Sequence, residues 1–245
     1  MSEARAIFLV AALAVAAPVQ AQNGGNGFLF GEPIWSFALR GGFAMPSAGS
    51  DVFSFSTSQL TLNRSDFNSM DASAEVALRV MPRLDVVLNA AFSGMTKQSE
   101  SRGYTGSDGL PIQQTTSFKR DPITLSARYY LQPRGRSVGR FAWVPARFAT
   151  YVGAGAGLMS YEFDQSGDFV DYSTLKVFGD HYRSAGWTPM AQAFAGIDWS
   201  LGPRWALTTE AKYVSASADL GTDFQGFHRI DLSGFSPSVG LYVRF

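Results

Sequence analysis

The chain of 245 residues contains no cysteine, only two histidines and few charged residues, which make up 16% of it. The absence of cysteine excludes disulfide bonds, thiol chemistry and metal sites with thiolate ligands. Lysine plus arginine and aspartate plus glutamate number 20 each, so no excess of positive charge favours binding to nucleic acid. Hydrogen bonding and burial must therefore hold the fold together.

The first residues form a short apolar segment. Arg5 precedes an unbroken apolar stretch at positions 6–17, and the small-residue pattern Val19-Gln20-Ala21 follows. This arrangement is typical of a secretory signal peptide that is cleaved after Ala21. The stretch is shorter than the roughly 20 residues that a membrane-spanning helix needs. No later apolar run reaches about 18 residues, which excludes a helical membrane domain after the signal peptide.

Eight segments of the remaining chain alternate between two faces of different character, as strands with one apolar side do. In the last segment one face carries Val239, Leu241 and Val243, and the other carries Tyr242 and Arg244. Each segment is close to the roughly 9 to 11 residues that a tilted strand needs to cross the apolar layer of a membrane. The segments lie at 35–43, 72–80, 84–93, 123–131, 147–158, 191–199, 204–213 and 235–245.

The connections between these segments alternate in length. The short turns at 81–83 and 200–203 and a longer connection at 132–145 separate four long segments rich in Ser, Gly and Asp, which lie at 46–69, 94–121, 160–186 and 215–231. Transmembrane barrels alternate in this way between short periplasmic turns and long external loops. The sequence therefore predicts an all-β fold, an eight-stranded antiparallel up-and-down transmembrane β-barrel. A soluble β-sandwich or lipocalin-like barrel, with its apolar faces inward, is the alternative.

The end of the chain carries the motif Gly240-Leu241-Tyr242-Val243-Arg244-Phe245. With this motif and its eight strands, the chain resembles the small eight-stranded outer-membrane barrels, the family that includes the transmembrane domain of outer membrane protein A and the opacity-type surface proteins. The resemblance implies that Val239, Leu241, Val243 and Phe245 form the signal that the barrel-assembly machinery reads. Pro237 departs mildly from the pattern, because it removes a ladder hydrogen bond.

The resemblance also implies a location and a domain organisation. We expect a signal peptide at 1–21, an N-terminal periplasmic linker at 22–33 and an outer-membrane β-barrel domain at 34–245. The protein is expected in the outer membrane of a Gram-negative-type bacterium, as a monomer in contact with outer-membrane lipid that includes lipopolysaccharide.

The polar face of the strands carries nearly balanced charges. An eight-stranded barrel is only just wide enough inside for side chains to fill it, so these charges are expected to form an ion-paired, structural network rather than line an open pore. The predicted lumen network consists of Arg40, Glu75, Arg79, Asp85, Arg128, Asp198, Glu210, Lys212 and Arg244.

The function that these features favour is that of a non-enzymatic membrane protein with a structural or surface-interaction role. The four long segments are the predicted contact sites for a surface ligand, and no catalytic residue, cofactor or metal site is predicted. One alternative is a narrow channel for small or hydrophobic solutes.

A second alternative is a lipid A or phospholipid-modifying enzyme. It would depend on His181 near Asp180 and Ser184, or on His228 near Asp231 and Ser233. The third long segment also carries enough carboxylates for calcium, but their spacing matches no calcium-loop pattern. These carboxylates are Glu162, Asp164, Asp168, Asp171 and Asp180.

Overall fold

The computed structural model describes residues 27–106, 109–171 and 173–245, so the predicted signal peptide at 1–21 lies outside the described residues. The strands are β1 (Leu29–Phe30), β2 (Trp35–Pro46), β3 (Ser69–Met81), β4 (Leu84–Thr105), β5 (Pro111–Tyr130), β6 (Gly135–Val138), β7 (Ala142–Pro145), β8 (Phe148–Asp171), β9 (Lys176–Ser200), β10 (Trp205–Ala218), β11 (Ile230–Asp231) and β12 (Gly234–Arg244). An α-helix, α1 (Asp51–Gln59), and two short 3-10 helices, Arg64–Phe67 and Thr222–Phe224, interrupt them.

Eight of the strands form one closed antiparallel ring. Their order is β2-β3-β4-β5-β8-β9-β10-β12, and β12 pairs with β2 to close the ring. The closing register places Leu241 opposite Leu39, and on its other side Leu241 lies opposite Leu207. Every strand of the ring therefore has a hydrogen-bonding partner on both sides, and the barrel leaves no open sheet edge at the level where the ring is closed.

The outward face of the ring is an apolar belt. In β12, Val239 and Leu241 are 50% and 51% exposed, whereas Tyr242 and Arg244 on the other face are buried. The belt continues around the ring through exposed side chains on the other strands, among them Leu39, Val76, Leu88, Leu125, Val152 and Ile197. Apolar side chains outside and polar ones inside are the arrangement of a barrel in lipid. The predicted transmembrane β-barrel is confirmed, and the soluble alternative is wrong.

Four strands continue well beyond the apolar belt, at what we call the outer end of the barrel. β4, β5, β8 and β9 are 22, 20, 24 and 25 residues long. The prediction that 94–121 and 160–186 are loops is therefore wrong for most of their length. The physical reason is that their backbone N–H and C=O groups pair with each other in the hairpins β4–β5 and β8–β9.

The two faces of these strands exchange character above the belt. On β8 the outward side chain changes from Leu158 to Ser160 and then to Glu162, while the alternating residues Met159, Tyr161 and Phe163 are buried inside. The side chains of the strand thus keep their period of two residues, but the apolar side now faces the interior. Water in place of lipid around the outer end explains the exchange, since the polar side then belongs outside.

The segment at 46–69 folds into the outer end of the barrel instead of extending from it as a loop. α1 buries Val52, Phe53 and Ser56, which share one side of the helix. None of the helices in the described part of the chain is long and apolar enough to cross a membrane. The segment at 215–231 is partly ordered in the same way, because β10 continues to Ala218 and β11 pairs with it.

A second, three-stranded sheet covers the inner end, opposite the long hairpins. Its strand order is β1-β7-β6, and Leu29 lies opposite Trp143, which is buried. The expected linker at 22–33 thus contributes a strand to this sheet, and its residues 22–26 lie outside the described part of the chain. The longer connection at 132–145 contributes the hairpin β6–β7.

Candidate functional site

Four charged side chains meet inside the barrel and form what we call the ion-paired layer. Arg40 Nη1 donates to Glu75 Oε2 at 2.7 Å, and Arg128 Nη2 donates to Glu75 Oε1 at 2.5 Å. Glu210 Oε2 lies 3.7 Å from Arg40 Nη2 and 3.8 Å from Arg128 Nη2. All four side chains are buried. Two cations and two anions balance one another, which is the condition under which charges can be buried.

The layer draws its members from four strands. Arg40 of β2 and Glu75 of β3 lie on neighbouring strands, whereas Arg128 of β5 reaches Glu75 across two strand boundaries. Glu210 belongs to β10, on the other side of the closing pair. An eight-stranded barrel has an interior just wide enough for side chains. The layer therefore extends across the lumen rather than along one wall.

Tyrosines complete the hydrogen bonding of the buried carboxylates. Tyr151 donates from its hydroxyl to Glu210 Oε2 at 3.1 Å, and Tyr130 donates to Asp198 Oδ2 at 3.0 Å. The guanidinium of Arg128 lies 4.5 Å from the centre of the Tyr151 ring, which is cation–π geometry. Asp198 is among the predicted network residues and the two tyrosines are not, although each tyrosine occupies an inward position of a predicted strand.

Glycines of β8 make room for an aromatic ring and for the neighbouring strand. A Cβ added at Gly153 would overlap the ring of Phe194, and one added at Gly157 would overlap the backbone carbonyl of Ile123. Glycine at these positions of β8 lets the wall approach its neighbours closely.

The other predicted network residues lie around this layer. Lys212 Nζ is 3.6 Å from Glu210 Oε1 and donates to Asn89 Oδ1 at 3.3 Å, so Lys212 joins the layer at its edge. Asp85 accepts a hydrogen bond from Arg134 at 2.9 Å, towards the inner end. Arg134 lies outside the predicted segments, so no alternation indicated it.

Arg79 and Arg244, the last two predicted network residues, make their contacts at the inner end of the barrel. Arg79 forms its ion pair with Glu32 of the N-terminal segment, near the inner end of the barrel. The physical reason is its position near the end of β3, where the side chain reaches the residues before β2. Arg244 donates to Ser200 Oγ at 2.8 Å, and its guanidinium lies 5.7 Å from the ring centre of Trp143.

A second, apolar layer fills the outer half of the barrel, and we call it the apolar plug. It centres on Phe53 of α1, whose ring centre lies 4.8 Å from that of Phe67, 5.3 Å from Phe118 and 5.6 Å from Phe163. These four rings are almost completely buried. The sequence does not indicate the plug, because all four rings belong to segments predicted as polar loops, at 46–69, 94–121 and 160–186.

Polar contacts hold the plug and the hairpins in place. Asp51, the first residue of α1, accepts the backbone N–H of His228 at 2.9 Å, and this bond is the main cause that lowers the pKa of the Asp51 carboxyl. On the outer face of the hairpins, Glu162 accepts from Lys119 at 2.7 Å and from Arg183 at 2.6 Å. These two bonds lower the pKa of Glu162.

The two histidines do not form the catalytic groupings that the sequence allowed. His181 pairs with Asp164 on the outer face of the hairpin, whereas Ser184 points inside, where its Oγ is 3.0 Å from the hydroxyl of Tyr161. His181 and Ser184 are three positions apart on one strand, so their side chains lie on opposite faces of it. Ser184 therefore cannot serve His181 as a nucleophile.

His228 is bound to α1 rather than to the groups near it in sequence. Its Nδ1 lies 2.7 Å from Asp51 Oδ2, while Asp231 accepts the backbone N–H of Ser233. The hydroxyl of Ser233 donates to the carbonyl of Ala216. In the described part of the chain, no group of three histidine, cysteine, aspartate or glutamate side chains is close enough to hold a metal ion.

Comparisons with known proteins give structural matches alone. No family model and no curated protein matches the chain. Neisserial surface protein A is similar at 15% identity and TM-score 0.48, over 91% of this chain and 100% of that one. OprG from Pseudomonas aeruginosa is similar at 17% identity and TM-score 0.47, over 89% of this chain and 99% of that one.

An enzyme is also among the solved structures. The outer membrane protease OmpT from Escherichia coli is similar at 9% identity and TM-score 0.33, over 91% of this chain and 100% of that one. The matches named are outer-membrane or surface proteins, and their low scores carry no inference about what this chain does.

Proposed function

We propose that the chain is a non-enzymatic protein of the bacterial outer membrane, whose closed barrel carries a cap for interaction with other molecules at the cell surface. The cap consists of α1 and the parts of the hairpins β4–β5 and β8–β9 that extend beyond the apolar belt. The observation that carries the proposal is that the interior is filled at two levels. The ion-paired layer occupies one, and the apolar plug with α1 occupies the other.

The filled interior argues against a solute channel. The cavity beside Arg120 and Lys212 has a volume of about 30 Å³. Such a volume holds about one or two water molecules, so it is too small for a conduit. A continuous aqueous path would require α1 to leave and the ion pairs to separate, which would leave buried charge without a partner.

The contacts of the two histidines argue against a lipid-modifying enzyme. His181 is paired with Asp164 of the neighbouring strand β8, and His228 is paired with Asp51 of α1, as expected for contacts that hold the cap together. The rest of the cap is ordered secondary structure, with two long hairpins and α1 packed between them. A rigid surface of this kind suits recognition, because little conformational freedom is lost on binding.

Several partners follow from the proposal. The apolar belt would contact outer-membrane lipid, and Lys119, Arg183 and the exposed Trp187 would lie at the level of the lipopolysaccharide phosphates. The alternation that ends in Phe245 would be read by the barrel-assembly machinery after export with a cleaved signal peptide. The barrel would function as a monomer.

Planar bilayer recordings test the proposal. The wild-type protein is expected to give no current steps. A variant with residues 50–62 replaced by a flexible Gly-Ser linker is also expected to give none, because the ion-paired layer still closes the lumen.

Current steps from the wild-type protein would favour the narrow channel instead. Steps from the linker variant alone would indicate a conduit that α1 gates. Loss of acyl chains from lipopolysaccharide incubated with the protein, seen by mass spectrometry, would favour the enzyme.

A further inference from the structure

A cleft opens at the outer end between α1 and the two long hairpins. Its volume is about 190 Å³, and α1, β4, β5, β8 and β9 all contribute to its walls. None of the described residues that line it is charged, although charged side chains are frequent on the outer faces of the same hairpins. The cleft is therefore suited to a neutral ligand.

One wall of the cleft is aromatic. Phe169 and Phe178 are directly paired across the β8–β9 hairpin, and the ring centre of Phe169 lies 4.6 Å from that of Tyr182. Phe178 is 39% exposed, and Phe55 of α1, which also lines the cleft, is 42% exposed. Aromatic rings held by neighbouring rings and exposed on a surface form a rigid apolar platform for a ligand.

Side-chain amides line the same cleft. Gln165 donates from Nε2 to Ser56 Oγ at 3.0 Å, and Gln114 donates from Nε2 to the backbone carbonyl of Asp168 at 2.7 Å. Each of these bonds uses one N–H of an amide that has two, besides its carbonyl oxygen. Gln59 of α1 is a third amide in the lining. Fixed amides thus offer both donors and acceptors beside the aromatic wall.

We infer that this cleft binds a neutral sugar unit of an external glycan. The inference rests on the proposed function, which it makes more specific. A sugar ring has apolar C–H faces that can pack on Phe178 and Phe55, and hydroxyl groups that both donate to and accept from amides. A hydrocarbon would cover the amides without satisfying them, and a sulfated or sialylated glycan would find no cationic side chain in the lining.

Binding of the full-length protein to an array of oligosaccharides tests the inference. The protein is placed in lipid nanodiscs, since detergents with maltoside or glucoside heads would compete for the cleft. The array carries neutral hexose and N-acetylhexosamine oligomers beside sulfated and sialylated ones, and the strongest neutral binder is then titrated by calorimetry. We expect neutral oligomers to bind in preference to the charged ones.

Two variants connect binding to the cleft. Phe178→Ala removes part of the aromatic wall, and Gln59→Leu removes an amide while keeping the size and helix preference of the side chain. Each is expected to weaken binding at least ten-fold. Phe141→Ala is the matched control, because Phe141 is 71% exposed but lies in the β6–β7 turn at the inner end. Heat-modifiable gel migration verifies that each variant is folded.

The inference is overturned if no neutral oligomer binds, if charged glycans bind better, or if both cleft variants bind as the wild-type does. Retention of an apolar dye in place of sugars would assign the cleft to hydrophobic ligands. None of these outcomes affects the bilayer recordings, so a failed sugar site and a failed closed barrel can be told apart.

Discussion

At the scale of single residues, Glu75 is the side chain on which the ion-paired layer most depends. It accepts hydrogen bonds from both Arg40 and Arg128, and all three side chains are at most 4% exposed. Glu75→Gln leaves two buried guanidinium groups with too little negative charge. We expect it to lower the free energy of unfolding by about 3–5 kcal/mol, the usual cost of breaking a buried ion pair. Urea unfolding in detergent micelles, followed by tryptophan fluorescence, measures the loss.

Glu162→Gln is the matched control for this substitution. Glu162 also bonds two cations, Lys119 and Arg183, but the side chains of those partners are about half exposed. Surface pairs are worth about 0–1 kcal/mol. Equal losses for the two variants would contradict a special role of the buried layer.

The sequence predicted these charged residues better than it predicted their pairing. Arg40, Glu75, Arg128 and Glu210 were found because each occupies the polar side of an alternating segment. Which carboxylate meets which guanidinium depends on strand stagger around the ring, and no single segment contains that information. Tyr151 was missed for a similar reason, since only the closed barrel brings its hydroxyl to Glu210.

At the scale of elements, the attachment of α1 is expected to depend on pH. The pKa of Asp51 is lowered, chiefly by the N–H of His228, so this contact stabilises the cap above the unfolded-state pKa, which is about 3.9 for aspartate. The stabilisation is lost as the pH falls through the lower folded-state pKa. A spin label on Ser58→Cys, in a chain without cysteine, should become more mobile in that range.

Asp51→Asn isolates this contribution. The pKa of Asp66 is also lowered, by the backbone N–H of Asn63, so more than one carboxyl of the cap titrates in the same range. The variant should reduce the pH-dependent change in label mobility. A spectrum of the labelled Ser58→Cys protein, with Asp51 intact, that stays the same from pH 7 to pH 2 would disprove the expectation.

The eight barrel strands were predictable, whereas α1 and the strand extensions were not. The strands follow a period of two with apolar residues on one side, which any strand between lipid and lumen must do. The sequence of α1, Asp51–Gln59, is rich in Ser and Thr, which favour helices weakly, so packing of Phe53 in the plug decides its conformation. The sequence predicts loops in place of the extensions because their outward residues are polar, as the surrounding water requires.

At the scale of the whole molecule, the exchange of faces on β8 sets the position of the barrel in the membrane. The outward side chain is apolar at Leu158 and charged at Glu162. We expect a spin label on Leu158→Cys to be accessible to oxygen, which dissolves in lipid, and one on Glu162→Cys to be accessible to a water-soluble nickel complex. If both labels were equally accessible to oxygen and to the nickel complex, the boundary between lipid and water would not lie between Leu158 and Glu162.

The length of the β8–β9 hairpin also determines how far above the membrane the cleft lies. From Ser160 to Asp171 the strand adds about 37 Å at roughly 3.4 Å per residue, and a tilt of about 40° leaves a rise of about 28 Å. The end of β8 at Asp171 therefore rises beyond the headgroup zone, and we expect it to reach into the sugars of a coated cell surface. A cell with a thicker coat would hide the cleft from large partners while small ones could still diffuse to it.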